Sequence, residues 1–329
     1  MTGTRILVTG GAGFIGSHYV RTLLGPDGPG DVSVTVLDAL TYAGNPANLD
    51  EVRGRPGFAF VHGDICDPEL VGRLMAGHDQ VVHFAAESHV DRSIDGGAAF
   101  VRTNVMGTHT LVHAAHEAGV RTFVHVSTDE VYGSIDEGSW TEDEPLAPTS
   151  PYSASKASGD LIALAYHRTH GLDVRVTRCS NNYGHHHFPE KVVPLFVTNL
   201  LEGLPVPLYG DGAHVRDWLH IDDHVQGIEL VRTKGRPGEV YNIGGGTELS
   251  NKELTRLLLE ACEADWDTDV VHVQDRKGHD RRYSVDCTKI REELGYAPRK
   301  DFAAGLAETV RWYRENRSWW EPLKERAAL

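Results

Sequence analysis

Short apolar runs alternate along the first half of the chain with longer stretches apolar on one side, and that rhythm predicts the elements. Arg5-Ile6-Leu7-Val8-Thr9 reads as a first strand, Gly10 to Ser17 as a glycine turn, and His18 to Leu24 as a helix. Ser33 to Leu37, Phe58 to Gly63 and Gln80 to Ala85 read as the next three strands. A long helix with few polar interruptions, Ala98 to Ala118, precedes a fifth strand over Thr122 to Ser127. A second long helix, Ser153 to His170, precedes a sixth over Asp173 to Arg178. Such alternation predicts an α/β fold: a Rossmann-like, doubly wound parallel sheet with helices on both faces and ligands at the carboxyl ends of its strands.

From about Gly184 the texture changes. Prolines and glycines cluster between Pro189 and Gly212. Val215 to Val231 returns to a strand-then-helix pattern, and Val240 to Gly246 reads as a strand and turn. Ser250, with Glu253 three residues on, is an N-cap signature for a helix over Asn251 to Ala261. A last helix is expected over Phe302 to Asn316, and the aromatic tail from Trp312 to Pro322 is expected to pack on a second domain. The division expected is a dinucleotide-binding domain of residues 1–184 and 214–246, with a smaller mixed α/β substrate-binding domain of residues 185–213 and 247–329.

A net charge of −15 disfavours nucleic acid and anionic membranes as partners, so an anionic ligand would need local Lys and Arg. No run of about 18 apolar residues exists to span a membrane, and a core strand at the N-terminus leaves no room for a signal peptide. Cys66, Cys179, Cys262 and Cys287 are scattered without a C-x-x-C, as expected of reduced thiols in a cytoplasmic protein.

The candidate chemistry begins at the glycine turn. Gly10, Gly13 and Gly16 are spaced to let backbone N–H groups and a helix N-terminus approach a diphosphate. Asp38 ends the second strand roughly 20 residues on, where a carboxylate accepts from an adenosine ribose and repels a 2′-phosphate, favouring NAD over NADP. Asp64, at the end of the third strand, can face the adenine. Tyr152 and Lys156 lie one turn apart on one helix face, and an ammonium beside a phenol would lower its pKa toward that of a usable base.

With these residues in place, the chain resembles the extended short-chain dehydrogenases/reductases. Gly10 to Gly16, Asp38, the Ala85-Ala86 turn, Asn104 and the Tyr152/Lys156 pair match that pattern in order. Within it, Asp38 to Asn45, Ala85 to Ser93 and Ser127 to Gly133 are similar to motifs of the dTDP-glucose 4,6-dehydratases. The resemblance implies a lyase that oxidises carbon 4 of the sugar, eliminates water across carbons 5 and 6, and returns the hydride to carbon 6. It implies Glu130 as the base for the carbon-5 proton, Asp129 as the acid for the departing hydroxyl, and Thr128 as a partner of the 4-hydroxyl, beside Tyr152 and Lys156. NAD contacts implied are Gly10, Gly13, Phe14, Ile15, Gly16, Asp38, Leu40, Thr41, Asp64, Ile65, Ala85, Ala86, Ser88, Thr103, Tyr152, Lys156 and Asn182. Contacts to dTDP-glucose fall to Ser88, Thr128, Asn181, Lys191, Val192, Pro207, Tyr209, Arg216, Asn251, Arg276 and His279. The two long helices would pair with a second copy as a four-helix bundle, giving a homodimer.

One stretch departs from the family pattern. Gly184 is followed by His185-His186-His187, where relatives often carry Gly-Pro. Adjacent histidines seldom converge on one ion, and no metal site is expected. Two other functions remain open at this stage: a sugar-nucleotide 4-epimerase or decarboxylase, and an NAD-sensing module without activity. The adjacent carboxyls Asp129 and Glu130 argue against the first, and a silent module would have no need of Tyr152, Lys156 and the acidic pair together.

Overall fold

In a computed structural model, which describes residues 3–327, the β-branched and leucine-rich runs form a seven-stranded parallel sheet. The strands are β1 (Thr4–Thr9), β2 (Val32–Asp38), β3 (Phe58–His62), β4 (Gln80–His83), β5 (Thr122–Thr128), β6 (Val174–Cys179), β7 (Asn181–Tyr183), β8 (Val206–Tyr209), β9 (Val215–His220), β10 (Val240–Ile243), β11 (Glu248–Ser250) and β12 (Val270–Val273). The large sheet runs β10-β6-β5-β4-β1-β2-β3, and every pairing in it is parallel. The order reverses at β1 and β4. Their carboxyl ends, at Thr9 and His83, open the crevice in which a doubly wound sheet holds its ligand.

Strand β1 shows how the sequence selects this sheet. Ile6 and Val8 join the hydrophobic cluster under the helices Phe14–Leu24 and Ile221–Lys234, while Leu7 joins the opposite cluster under Thr108–Glu117 and Pro151–His170. Both faces are therefore buried, as an uninterrupted apolar run requires. A third cluster gathers Val193, Phe196, Val206, Trp218, Leu254, Leu306 and Trp320 around a three-stranded sheet, β11-β9-β7, and a two-stranded one, β12-β8.

Ser250 and Glu253 form the expected capping box, and the helix runs Asn251–Cys262. The Ala98–Ala118 expectation needs a correction. The helix turns α at Ala98–Phe100, widens to a π-helix over Val101–Gly107, and resumes at Thr108–Glu117. The widening carries Asn104 inward, where its side-chain amide donates to Glu87 O (2.9 Å) and Ser155 Oγ (2.8 Å) and accepts from Glu87 N (2.9 Å). One buried amide thus ties the turn after β4 to the helix carrying Tyr152. The tail forms a further helix, Arg317–Ala327, whose Trp320 is buried in the third cluster. No helix among the described residues is long and apolar enough to cross a membrane.

Candidate active site

The carboxyl ends of the central strands open into a cavity of about 860 Å³, lined by the glycine turn, the β5 end, the start of the Pro151 helix and the segment after β7. At the glycine turn, Gly10 has φ +70°, and a Cβ there would lie 2.5 Å from Ala85 N. At Gly16 it would lie 2.3 Å from Gly10 O. Both glycines are demanded by the protein's own backbone. Gly13 differs: a Cβ there would meet only Gly10 O, at 3.3 Å, and it would stand at the mouth of the helix Phe14–Leu24. The first-turn amides have no intrahelical partners, so the bare Gly13 leaves a cradle suited to a diphosphate. The Asp38 carboxylate is held by the amides of Ala12 and Leu40, both at 2.8 Å, and burial raises its pKa against their pull. Asp64 accepts from Cys66 N and from Arg102 Nη2, each at 2.8 Å; burial would raise its pKa, but these donors keep it below the ordinary range. These residues fit a dinucleotide with an unphosphorylated ribose.

All the residues expected from sequence line this cavity except Leu40. Leu40 lies beside the lining residues Ala39 and Thr41: at φ +49° its amide serves Asp38 while its side chain packs partly against the core. At the end of β5, the Thr128 hydroxyl caps the turn Asp129–Tyr132, accepting from Glu130 N and donating to Asp129 Oδ1, both at 3.2 Å. Asp129 is 2% exposed and its Oδ2 has no partner. Burial, then the Glu130 and Asp217 carboxyls, push its pKa well above the carboxylate range. Burial raises Glu130 too, but Lys191, Arg216 and Arg276 pull it back. The adjacent carboxyls are therefore unlike in degree: burial raises both, strongly at Asp129, while Lys191, Arg216 and Arg276 limit the rise at Glu130.

Ser150 caps the next helix through a capping box with Ser153, with Pro151 in its first turn, and this sets Tyr152 and Lys156 on the cavity wall. The expectation that Lys156 lowers the Tyr152 pKa is not what the structure shows. The Lys156 ammonium donates to Val126 O at 2.8 Å, and burial lowers its pKa. The Tyr152 phenol is raised, first by burial and then by Glu130. In this arrangement it holds its proton.

At the far end, Lys191 donates to Ser88 O (2.6 Å) just before the helix Val192–Leu201. Arg216 donates to Val215 O (2.7 Å) and Asp280 O (2.9 Å) and lies 4.2 Å over the Tyr283 ring, with no salt bridge to a carboxylate among the described residues. Arg276 lies 4.7 Å over Tyr209 and bonds Asp91 at 3.2 Å. These cations ring a space suited to a nucleoside diphosphate. Asn182 lines the cavity but spends its amide on Ser180 O (2.9 Å) and His224 Nδ1 (2.8 Å). His279 stacks on His214 at 3.7 Å and bonds Asp275 at 2.7 Å; these three bring donor atoms within 4.8 Å of one another, a grouping the sequence spacing did not suggest. The three consecutive histidines do not converge. His185 stacks on Trp312, His186 lies against Trp312 and Trp319, and His187 stacks on Phe14.

Residues 7–309 match the family model described as GDP-mannose 4,6 dehydratase. The chain is 68% identical over 326 residues to a dTDP-glucose 4,6-dehydratase of Streptomyces griseus, covering 99% of each. The chain belongs to the dTDP-glucose 4,6-dehydratase family. A solved family member from Streptomyces venezuelae, with NAD and dTDP bound, is 65% identical and superposes with a TM-score of 0.95 over 97% of this chain and 100% of that one. The fold reaches beyond the family. A UDP-glucose 4-epimerase from Thermotoga maritima is 34% identical, with a TM-score of 0.88 over 95% of this chain and 100% of its own. What distinguishes a dehydratase must therefore be sought in side chains.

Proposed function

We propose that this chain is a hydro-lyase that converts dTDP-glucose to dTDP-4-keto-6-deoxyglucose, with one NAD regenerated in each turnover. The observation that carries the reading is the unlike acidic pair, strongly raised Asp129 beside Glu130, in one cavity with Tyr152, Lys156 and the glycine turn. NAD, when bound, supplies the acceptor and later the donor of a hydride. Tyr152 takes the proton of the sugar 4-hydroxyl, positioned by Thr128, after positive charge beside the phenol, offsetting burial and Glu130, lets its own proton pass to solvent. The 4-ketone acidifies carbon 5. Glu130 removes that proton while Asp129 delivers its own to the 6-hydroxyl, which leaves as water. An epimerase has no departing hydroxyl and no use for the second carboxyl.

The remaining assignments follow. Lys191, Arg216 and Arg276 receive the diphosphate, and Tyr209 stacks on the thymine. Residues 1–184 and 214–246 form the NAD-binding domain, which also lends Thr128, Asp129, Glu130 and Arg216 to the substrate, and 185–213 and 247–329 form the substrate domain, although β9 pairs with β7 and β11 rather than with the large sheet. The chain works as a cytoplasmic homodimer. Val101, Met106 and Leu161, 54%, 63% and 59% exposed on the two long helices, are the apolar face of its four-helix bundle. The test is incubation with dTDP-glucose and no added cofactor. A product lighter by one water, carrying one solvent deuterium at carbon 5 in heavy water, supports the reading. An isomerised sugar of unchanged mass would mean an epimerase. A monomer by sedimentation at micromolar concentration would remove the dimer.

A further inference from the structure

We propose that the segment from His185 to Lys191 is a strap that retains the cofactor, with His187 as its contact at the glycine turn. This rests on the reading of the glycine turn as the NAD site. The His187 ring stacks on Phe14, the first residue of the helix that opens at the diphosphate cradle, with centroids 4.1 Å apart and planes 11° from parallel. Both residues line the cavity.

The strap is fastened on both sides. On one side, Phe188 is buried edge-on against Tyr42 (5.6 Å), a neighbour of the cofactor-facing Thr41. Glu190 accepts from Tyr42 OH (3.0 Å) and Arg92 Nε (3.3 Å), and Lys191 is tied to Ser88 O. On the other side, Tyr313 OH donates to His187 O at 2.5 Å. Trp312 and Trp319 flank His186, whose φ of +65° is unfavourable for a side-chain-bearing residue and needs such support. The fastening also reaches the glycine turn itself: Trp319 Nε1 donates to Asn48 Oδ1 (2.9 Å), and Asn48 Nδ2 donates to Ala12 O (2.9 Å).

The strap thus spans from the C-terminal helices, across the Phe14 end of the cradle, to the loop beyond Asp38. A dinucleotide lying along the cradle leaves only after the Phe14–His187 stack opens. An enzyme that reuses one NAD benefits from this, because cofactor lost in mid-cycle would strand an oxidised sugar.

The experiment measures NAD per protomer in the purified enzyme and its release rate, by exchange against isotopically labelled NAD, in wild type, His187→Ala, His187→Phe and Trp319→Phe. An aromatic stack is worth about three- to tenfold in such a rate. His187→Ala should release NAD faster by that factor, and Trp319→Phe, which loses the Asn48 bond, should release it faster as well. His187→Phe, which keeps a ring against Phe14, should retain NAD as wild type does. Binding of dTDP to each variant reports that the fold is intact. Unchanged release in His187→Ala and Trp319→Phe overturns the strap. A wild type that neither carries nor takes up NAD overturns the cofactor reading beneath it.

Discussion

Replacing Asp129 by Asn removes one proton donor and almost no volume. The carboxyl is buried, and its burial beside Glu130 and Asp217 shifts it strongly toward its protonated form. An amide of the same shape therefore takes its place without loss of charge, and Thr128 can still donate to its oxygen. Folding should not suffer. A carboxyl whose pKa is raised by folding makes folding less favourable as pH climbs from its unfolded pKa, about 3.9, through its folded one, and that cost persists above both. Asparagine is spared it, so the variant should melt no lower than wild type at neutral pH and higher at alkaline pH. Catalysis should suffer. A positioned general acid contributes about 10²–10⁴-fold, which is about 3–5.5 kcal/mol of barrier. Initial rates of 4-keto product formation should fall by that factor while dTDP binding stays within about threefold of wild type. A kcat within tenfold of wild type would refute the acid role. A clearly lower melting temperature at neutral pH would refute the neutral, buried carboxyl.

Tyr152→Phe should cut turnover by about 10²–10⁴-fold and leave the NAD content of the purified protein unchanged, read by nucleotide extraction. Asn104→Ala should cost about 2–3 kcal/mol in urea unfolding and reduce kcat, because Glu87 and Ser155 lose their buried partner and the turn after β4 separates from the Tyr152 helix. Asp160→Asn should cost about 3–5 kcal/mol at neutral pH, since Arg178 loses a buried partner at 2.9 Å. Burial would raise the Asp160 pKa, but Arg178 and His125 outweigh it and hold it low; its contribution stands above the unfolded pKa and is lost as pH falls through the folded one, so the two proteins should converge in acid. The acid limb of the kcat profile, which reports Glu130, should lie at higher pH than that of kcat/KM; coincident limbs would count against the role of Lys191 and Arg216.

Most of the sheet was legible because its strands are buried on both faces and read as continuous apolar runs, as in β5, all seven residues of which are buried. The glycine turn and the acidic pair were legible because their chemistry is local in sequence. What was not legible depends on distant partners. The π-helix at Val101–Gly107 has no composition of its own; it follows from Asn104 reaching both Glu87 and Ser155. The left-handed backbone at Leu40, which brings its amide to Asp38 and its side chain against the core, has no sequence signal. The Tyr152–Lys156 spacing gave the shared face correctly, but not that Val126 O would take the ammonium. His214 and Asp275 approach His279 only because β9 and the segment after β12 are brought together in three dimensions.

The electrostatics of the site follow from where two cations, Lys191 and Arg216, stand. The chain as a whole carries −15, yet Lys191 and Arg216 enter the cavity with their donors spent on carbonyls rather than carboxylates. That leaves two cations without a salt bridge to a carboxylate among the described residues to receive a diphosphate. The same charges hold down the rise that burial gives the Glu130 pKa, while Asp129, although Arg216 pulls on it too, stays well above the ordinary range through burial and the Glu130 and Asp217 carboxyls. The acid and the base are thus separated by which neighbours each faces, although they are adjacent in sequence. When a diphosphate neutralises Lys191 and Arg216, their pull on Glu130 weakens and its pKa rises further. The carboxylate then becomes a stronger base when the sugar is in place to be deprotonated. Substrate binding and base strength are in this way coupled through two side chains.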